Sequence, residues 1–421
     1  MKILILSQYF PPEIGAPQNR LYELAQRLKN HGIEVEVLTA MPNYPEMKIH
    51  NEYIGKWYAS ENREGIKIHR CWIFVSKSKS IALRLLNYFS FVFSSLIIGW
   101  KKIKRSDFIL CESPPLFLGI SAWALCKIKR AGLIFNVSDL WPESAEKLGL
   151  VKNKFFLRSA TKLEEFLYKR SKLITGQTQG IVKNISSRFP NKNVYWLPNG
   201  VDLKYYYPIE PNRDWRLSNG FQEDDFILLY AGILGHAQGL EVILKAADHL
   251  RDHVRIRFVI LGAGPERDHL IDLANKMKLN SVRFLSPVKK EKMPEIISNI
   301  DAAIIPLRKI DLFKGAIPSK IFESLAMEKP ILLGVEGEAK ELFIEEGKCG
   351  LSFLPENEIS LKEEILKMIV NPIHLAELGK NGRKYVENKF NRDTIAYQFG
   401  NTLKELENDD SNSNTLQLPS A

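Results

Sequence analysis

The chain has 421 residues, 45% of them hydrophobic and 26% charged. That excludes a disordered or fibrous polymer and exceeds what one hydrophobic core usually organises, so two domains are expected. The 59 Lys and Arg outnumber the 49 Asp and Glu for a net charge of +10, a balance that suits nucleic acid, an anionic membrane surface or a phosphorylated substrate.

In chain order, "MKILILSQYF" has an apolar run too short for a signal-peptide core and reads as the first buried strand of a cytoplasmic protein. The Pro- and Gly-rich loop "PPEIGA" (residues 11–16) follows, then a helix "NRLYELAQRLKNHG" with a glycine stop. "IEVEVLTA", "FILCES", "LIFNVSD", "KLITGQT" and "VYWLPNG" read as further strands of the first half. "FILLYAG", "IRFVILG", "VRFLS", "AAIIPL" and "PILLGV" repeat the pattern in the second. Strands alternating with helical stretches predict parallel sheets built from βαβ units. Cys71, Cys111, Cys126 and Cys349 lack metal-knuckle or disulfide spacing and read as buried thiols of a reducing compartment.

Between Gly65 and Ser106 there is no Asp or Glu, whereas Lys67, Arg70, Lys77, Lys79, Arg84, Lys101, Lys102, Lys104 and Arg105 are all basic. Within that stretch, residues 85–100, "LLNYFSFVFSSLIIGW", are apolar and aromatic and fall short of the roughly 20 residues that span a bilayer. Two readings stand: a buried helix between strands, or a helix lying in a membrane interface with "KKIKR" on anionic headgroups. "VKNKFFLRSATK" (151–162) extends the basic, aromatic character. The polar, Pro-containing stretch 204–225 reads as the inter-domain linker, and the segment 408–421 as a disordered tail.

Ligands of doubly wound sheets bind outside the carboxyl ends of the strands. Glycine turns fall there at Gly15, at Gly232 and Gly235, and at Gly262 and Gly264, where backbone N–H groups can approach a phosphate. In "IPSKIFESLAMEKPI", Ser319 reads as a helix N-cap, with Lys320 and Glu323 on one side of the first turn and Phe322 and Leu325 supplying apolar surface.

The combination of "PPEIGA", "DLWPESA", "LPNGVD", "YAGILGHAQGL", "LGAGP" and "IPSKIFESLAMEKPI" resembles the retaining, nucleotide-sugar-dependent glycosyltransferases of family 4, nearly from end to end. "DLWPES" and "PSKIFE" are most similar to the bacterial O-antigen and capsule branch, which includes N-acetyl-L-fucosamine transferases. The resemblance implies the GT-B architecture, α/β, with two doubly wound Rossmann-like domains facing a cleft. Residues 1–205 would bind the acceptor and residues 206–387 the nucleotide sugar, with a helix at about 388–407 packing back on the first domain.

Site roles are carried over in the same way. Glu323 matches the second Glu of the family's E-x7-E motif and would hold the ribose hydroxyls. Gly15 and Ala16 match the first-strand loop near the donor diphosphate and acceptor, and Pro287 and Val288 the stretch that reads the base. Ser138 and Asp139 match the His-Asp position near the transferred sugar, although Asp139 equally reads as an N-cap of the next helix. Gly232, Gly235 and Ser319 complete the donor set.

Two departures bear on mechanism. The first Glu of E-x7-E falls on Gly315, and the family's paired Arg and Lys fall in "GHAQG", at His236 and Gln238. Lys320 is then the candidate cation for the leaving diphosphate, with Lys314 and Arg308 in reserve. There is no D-x-D motif, so metal-independent chemistry without a cofactor is expected, on a UDP-sugar as substrate. The expected acceptor is a polyprenyl-diphosphate-linked saccharide at the inner face of a plasma membrane. A nucleotide-sugar 2-epimerase of the same architecture is an alternative. A nucleic-acid-binding protein is another, though no zinc-finger, RNP or helix-turn-helix signature supports it.

Overall fold

A computed structural model describes residues 1–415 except 14, 79, 148, 150 and 152. It divides into two α/β units, one of residues 1–199 and 392–421, the other of residues 200–391.

Among its described residues the first unit carries eight strands: β1 (Lys2–Ser7), β2 (Glu34–Ala40), β3 (Tyr58–Arg63), β4 (Ile66–Cys71), β5 (Phe108–Ser113), β6 (Gly132–Val137), β7 (Leu173–Gly176) and β8 (Val194–Trp196). They form one sheet in the order β3-β4-β2-β1-β5-β6-β7-β8. All neighbours are parallel except β3, which runs antiparallel to β4. Strands β1 and β5 are apolar along nearly their whole length because helices cover both faces of the sheet. These helices are α1 (Ala16–Asn30), α2 (Ile81–Lys102), α3 (Leu118–Lys129), α4 (Glu143–Lys147), α5 (Lys154–Arg170) and α6 (Gln179–Arg188), joined by a final helix, Arg392–Thr415.

In the first unit, expectation and structure differ at three places. The β3–β4 hairpin has no counterpart among the expected strands, since β3 is a half-exposed edge of polar residues with no apolar run. Residues 85–100 lie inside the longer helix α2, whose Phe91 and Ile98 join the core under the sheet while another face stays exposed. The stretch expected as a disordered tail is helical as far as Thr415, since a helix already anchored on a packed face propagates at little cost. Residues 416–421 lie outside the described residues.

The second unit contains β9 (Phe226–Ala231), β10 (Ile256–Leu261), β11 (Val282–Leu285), β12 (Ala302–Pro306), β13 (Ile331–Gly334) and β14 (Gly350–Ser352), a parallel sheet in the order β11-β10-β9-β12-β13-β14. The chain enters this unit at Gly200 and leaves it after Asn391, not at 206 and 387. The two crossing segments hold each other: Val201 pairs in parallel with Asn391, and its N–H donates to the Phe390 carbonyl at 2.9 Å. The polar stretch expected as a linker is part of this unit. Its helix Arg213–Ser218 is capped by Asn212, and Arg216 donates to the carbonyls of Asp225 and Asn299.

The final helix belongs to the first unit. Ile395, Ala396, Phe399, Leu403 and Leu406 enter the core formed with Leu21, Leu28 and Ile33. Arg27 pairs with Asp393 at 2.7 Å, and Arg392 pairs with Glu23 of α1. Phe399 has no exposed surface. Phe399→Ala is therefore expected to cost the first unit about 3–5 kcal/mol, read as a lowered urea midpoint. Tyr397→Ala, on the exposed side of the same helix, should stay within about 0.5 kcal/mol of the parent.

Candidate active site

In the second unit the carboxyl end of β9 turns sharply at Gly232, whose φ is +144°. The next turn, at Gly262, has φ +147°, and a Cβ there would collide with the Gly232 carbonyl. The two loops pack backbone to backbone, with Gly232 N–H on the Leu261 carbonyl and Leu234 N–H on the Ala263 carbonyl. Glycine is required because a side chain fits neither the backbone angle nor the gap.

The helix Lys320–Ala326 brings its first residue over this turn. Lys320 Nζ lies 3.8 Å from the centroid of the Tyr230 ring, and a Cβ on Gly232 would come within 3.0 Å of that ammonium. Tyr230 is itself fully buried and donates its hydroxyl to the Ile233 carbonyl at 2.6 Å. Burial pulls the Lys320 pKa down to about 7, against the pull of the Glu323 carboxylate in the same turn. Ser319 does not act as the expected cap: its backbone is helical, its side chain makes no cap hydrogen bond, and the turn is closed instead by Ile321 N–H on the Pro318 carbonyl.

The structure thus brings Gly232, Lys320 and Glu323 together. Tyr205 stands within electrostatic reach of Glu323: burial, and then the charges of Glu291 and Glu323, hold its hydroxyl proton more tightly. Pro287 and Val288 sit in the loop after β11, in the segment that leads to Lys290, whose ammonium lies 5.0 Å from the Tyr205 centroid. Gly235 opens the short turn His236–Gln238, where His236 pairs with Glu266 at 2.9 Å. Of the reserve cations, Lys314 pairs with Asp311 on the surface, whereas Arg308 lies against Gly239 and pairs loosely with Glu356. Tyr230 and Tyr205 were missed because each reads in sequence as an ordinary apolar residue.

In the first unit, Gly15 and Ala16 begin α1 beyond the carboxyl end of β1. Their loop is anchored by Glu13, buried, whose carboxylate accepts backbone N–H groups of Phe10, Asn43 and Tyr44 at 2.8–3.1 Å. Arg70, fully buried, donates to the Pro11 carbonyl and to Glu61. Asp139 follows β6 and accepts from the Ser144 hydroxyl at 2.7 Å and from the Leu140 backbone N–H, rather than from a backbone N–H of the helix Glu143–Lys147. Burial nonetheless raises its pKa. Beside it, Ser138 and Arg20 both bind Glu112 at 2.5 Å, and Asn136 links Glu112 to Thr175. This buried chain of polar groups crosses the carboxyl ends of β5, β6 and β7, and only folding shows it.

The depressed pKa of Lys320 has a stability consequence with a definite sign. Between pH 7 and 10.5 the unfolded chain holds a proton that the folded site releases, so stability rises with pH across that window. Lys320→Met is expected to stabilise the protein at pH 6 by on the order of 2 kcal/mol, with the gain vanishing near pH 10, as read from chemical denaturation at both pH values.

Known proteins are similar to this chain over both units. Residues 18–205 match the model described as Glycosyltransferase Family 4, and residues 211–385 the model described as Glycosyl transferases group 1. A relative in Escherichia coli K12, described as a putative colanic acid biosynthesis glycosyl transferase, WcaI, is 26% identical over 416 residues, covering 96% of this chain and all of that protein. Among solved structures, HepE of Anabaena in complex with UDP and glucose has a TM-score of 0.70 at 17% identity, covering 96% of this chain and 100% of its own. WaaG, described as a glycosyltransferase involved in lipopolysaccharide biosynthesis, has a TM-score of 0.65 at 18% identity, covering 96% and 99%. With one model matched on each unit, the chain belongs to the family 4, group 1 glycosyltransferases of GT-B fold.

Proposed function

We propose that the protein transfers a sugar, with retention of anomeric configuration, from a UDP-sugar to a polyprenyl-diphosphate-linked saccharide in bacterial surface-polysaccharide synthesis. The observation that carries this reading is the Lys320 ammonium over Tyr230, beside Gly232 and one turn from Glu323. It supplies positive charge at a strand end where backbone also approaches closely, as a leaving nucleoside diphosphate requires. The HepE structure with UDP and glucose supports the choice of nucleotide, and the WcaI relative the pathway class. The "DLWPES" and "PSKIFE" motifs favour an N-acetyl-L-fucosamine donor, whereas Gly315, where the family has its first Glu, removes the usual carboxylate grip on the donor sugar.

In the proposed reaction the bond from the anomeric carbon to the phosphate oxygen breaks while the bond to the acceptor oxygen forms on the same face. The acceptor proton passes to the departing phosphate oxygen. Lys320 offsets the charge that develops on that oxygen, Glu323 holds the ribose hydroxyls, and Pro287 and Val288 face the base. Gly15, Ala16 and Asp139 serve the acceptor and the transferred sugar. Neither a metal nor another cofactor has a step in this scheme, and the peripheral setting at the inner membrane face follows from the acceptor.

UDP, tested against GDP and ADP with EDTA present, should alone raise the melting temperature, and Glu323→Ala should abolish that rise. A nucleic-acid binder would show neither, and would instead bind DNA or RNA with steep salt dependence. Lys320→Met should lower turnover about 100-fold with a smaller effect on UDP affinity. Because Lys320 is half-deprotonated near pH 7, a diphosphate that draws its proton back must be accompanied by proton uptake at pH 8. Calorimetry in buffers of different ionisation enthalpy should detect that uptake in the parent and not in Lys320→Met.

A further inference from the structure

We propose that one face of α2, together with a stacked pair of tryptophans beside it, is the surface by which this protein lies on an anionic phospholipid bilayer; the inference rests on the lipid-linked acceptor proposed above and gives it a place. Leu86, Phe89, Phe93 and Trp100 form a stripe along the helix at spacings of three, four and seven residues, and each is 43–57% exposed. Trp57 stacks on Trp72 at 5.3 Å between centroids, and the edge of Phe93 meets Trp57 at 6.5 Å. Both tryptophans are exposed, so six large apolar side chains make one continuous outer patch. A patch of that kind on a monomer marks a site of interaction.

Charge selects the occupant. The segment from Gly65 to Ser106 contains no carboxylate, and Lys77, Arg84, Lys101 and Lys102 are exposed within it, Lys102 with its ammonium 5.5 Å from the centroid of the Tyr58 ring. Glu61 of β3 is already taken by Arg70 and Tyr53. Exposed aromatic side chains on a segment whose charges are all positive suit the headgroup region of an anionic bilayer, where ring and ammonium both find favourable surroundings. The same cations would meet their own copies across a symmetric dimer of this face, which opposes self-association.

The helix is long and apolar enough to cross a membrane, but 44% of its most apolar window is buried in the protein and its inner face is held by hydrogen bonds. Asn87 accepts from Gln8 at 2.9 Å and donates to the Phe74 carbonyl, Ser94 donates to the Trp72 carbonyl at 2.5 Å, and Ser95 meets Ser121 of α3 at 2.9 Å. Spanning would break all of these and strip the core of Phe91 and Ile98, so the helix lies flat.

The same contacts join the docking face to the candidate acceptor edge. Gln8 directly follows β1 and leads into the loop of Gly15. Phe89 packs on Phe117 at 4.8 Å, and Phe117 on Trp141 at 5.4 Å, two residues past Asp139. An acceptor whose lipid remains in the bilayer would therefore reach the loops of Gly15 and Asp139 without leaving the surface.

The test is co-sedimentation of the full chain with vesicles of equal parts phosphatidylcholine and phosphatidylglycerol, with phosphatidylcholine alone, and without lipid. The parent should pellet with the anionic vesicles, be released by high salt, and stay in solution in the other two arms. Leu86→Ser/Phe93→Ser/Trp100→Ser should bind the anionic vesicles about tenfold or more weakly, while keeping its melting temperature and its UDP-induced shift. Equal pelleting of parent and variant, equal binding to both lipids, resistance to salt extraction, or a parent dimer that the variant breaks would each overturn the proposal. The UDP shift separates the two readings: its absence from a parent that still docks would count against the donor site and leave the docking face standing.

Discussion

An ammonium group held out of water against an aromatic face is the constraint around which the edge of the second sheet is arranged. For Lys320 to stand 3.8 Å over Tyr230, Tyr230 must be fixed by its own hydrogen bond to Ile233, and residue 232 must have no side chain. Gly262 must in turn be a glycine, because its Cα faces the Gly232 carbonyl. The cation is thereby preorganised, and its cost is visible as a pKa drawn down toward 7. A charge kept ready in this way interacts far more strongly with an incoming anion than a hydrated surface lysine does. Lys314, exposed and paired with Asp311, illustrates the contrast.

The first unit reaches rigidity by a different route. Its loops are tied from beneath by buried charges that are fully hydrogen-bonded: Glu13 to three backbone N–H groups, Arg70 to a carbonyl and a carboxylate, and Glu112 to Arg20, Ser138 and Asn136. Buried ionic groups of this kind add little net stability over an apolar core, but removing one partner leaves the other uncompensated, so they specify a single loop arrangement. Asp139, hydrogen-bonded by the Ser144 hydroxyl, sits at the end of this chain of groups with a raised pKa. Its carboxylate is thus both a structural anchor and a polar group at the strand end.

Much of the fold was legible because central parallel strands, covered on both faces, read as short apolar runs. β1, β5, β9, β10, β12 and β13 all announce themselves in this way. β3 and β14 do not, the first being a polar antiparallel edge and the second only three residues long. Lys320, Glu323 and the glycine turns were legible because spacing within one segment places them. Tyr230, Tyr205 and the Arg20–Glu112 pair were not, since each acquires meaning only from a neighbour distant in the chain. Ser319 failed as an expected cap for a local reason: Pro318 starts the turn one residue earlier, and the serine is drawn inside it.

Helix α2 shows why composition alone left two readings open. Its apolar residues are too numerous for one buried stripe, so periodicity separates neither core nor interface. The structure divides them by neighbours: Phe91 and Ile98 meet the sheet, the serines and Asn87 satisfy their polar groups inward, and Phe93 is left to Trp57. Serines on the packed face let the helix approach α3 closely, and they use hydrogen bonds that a lipid-facing serine would lack. The polar residues therefore mark the protein side of this helix, and the large aromatics its outer side, the reverse of an ordinary amphipathic surface helix.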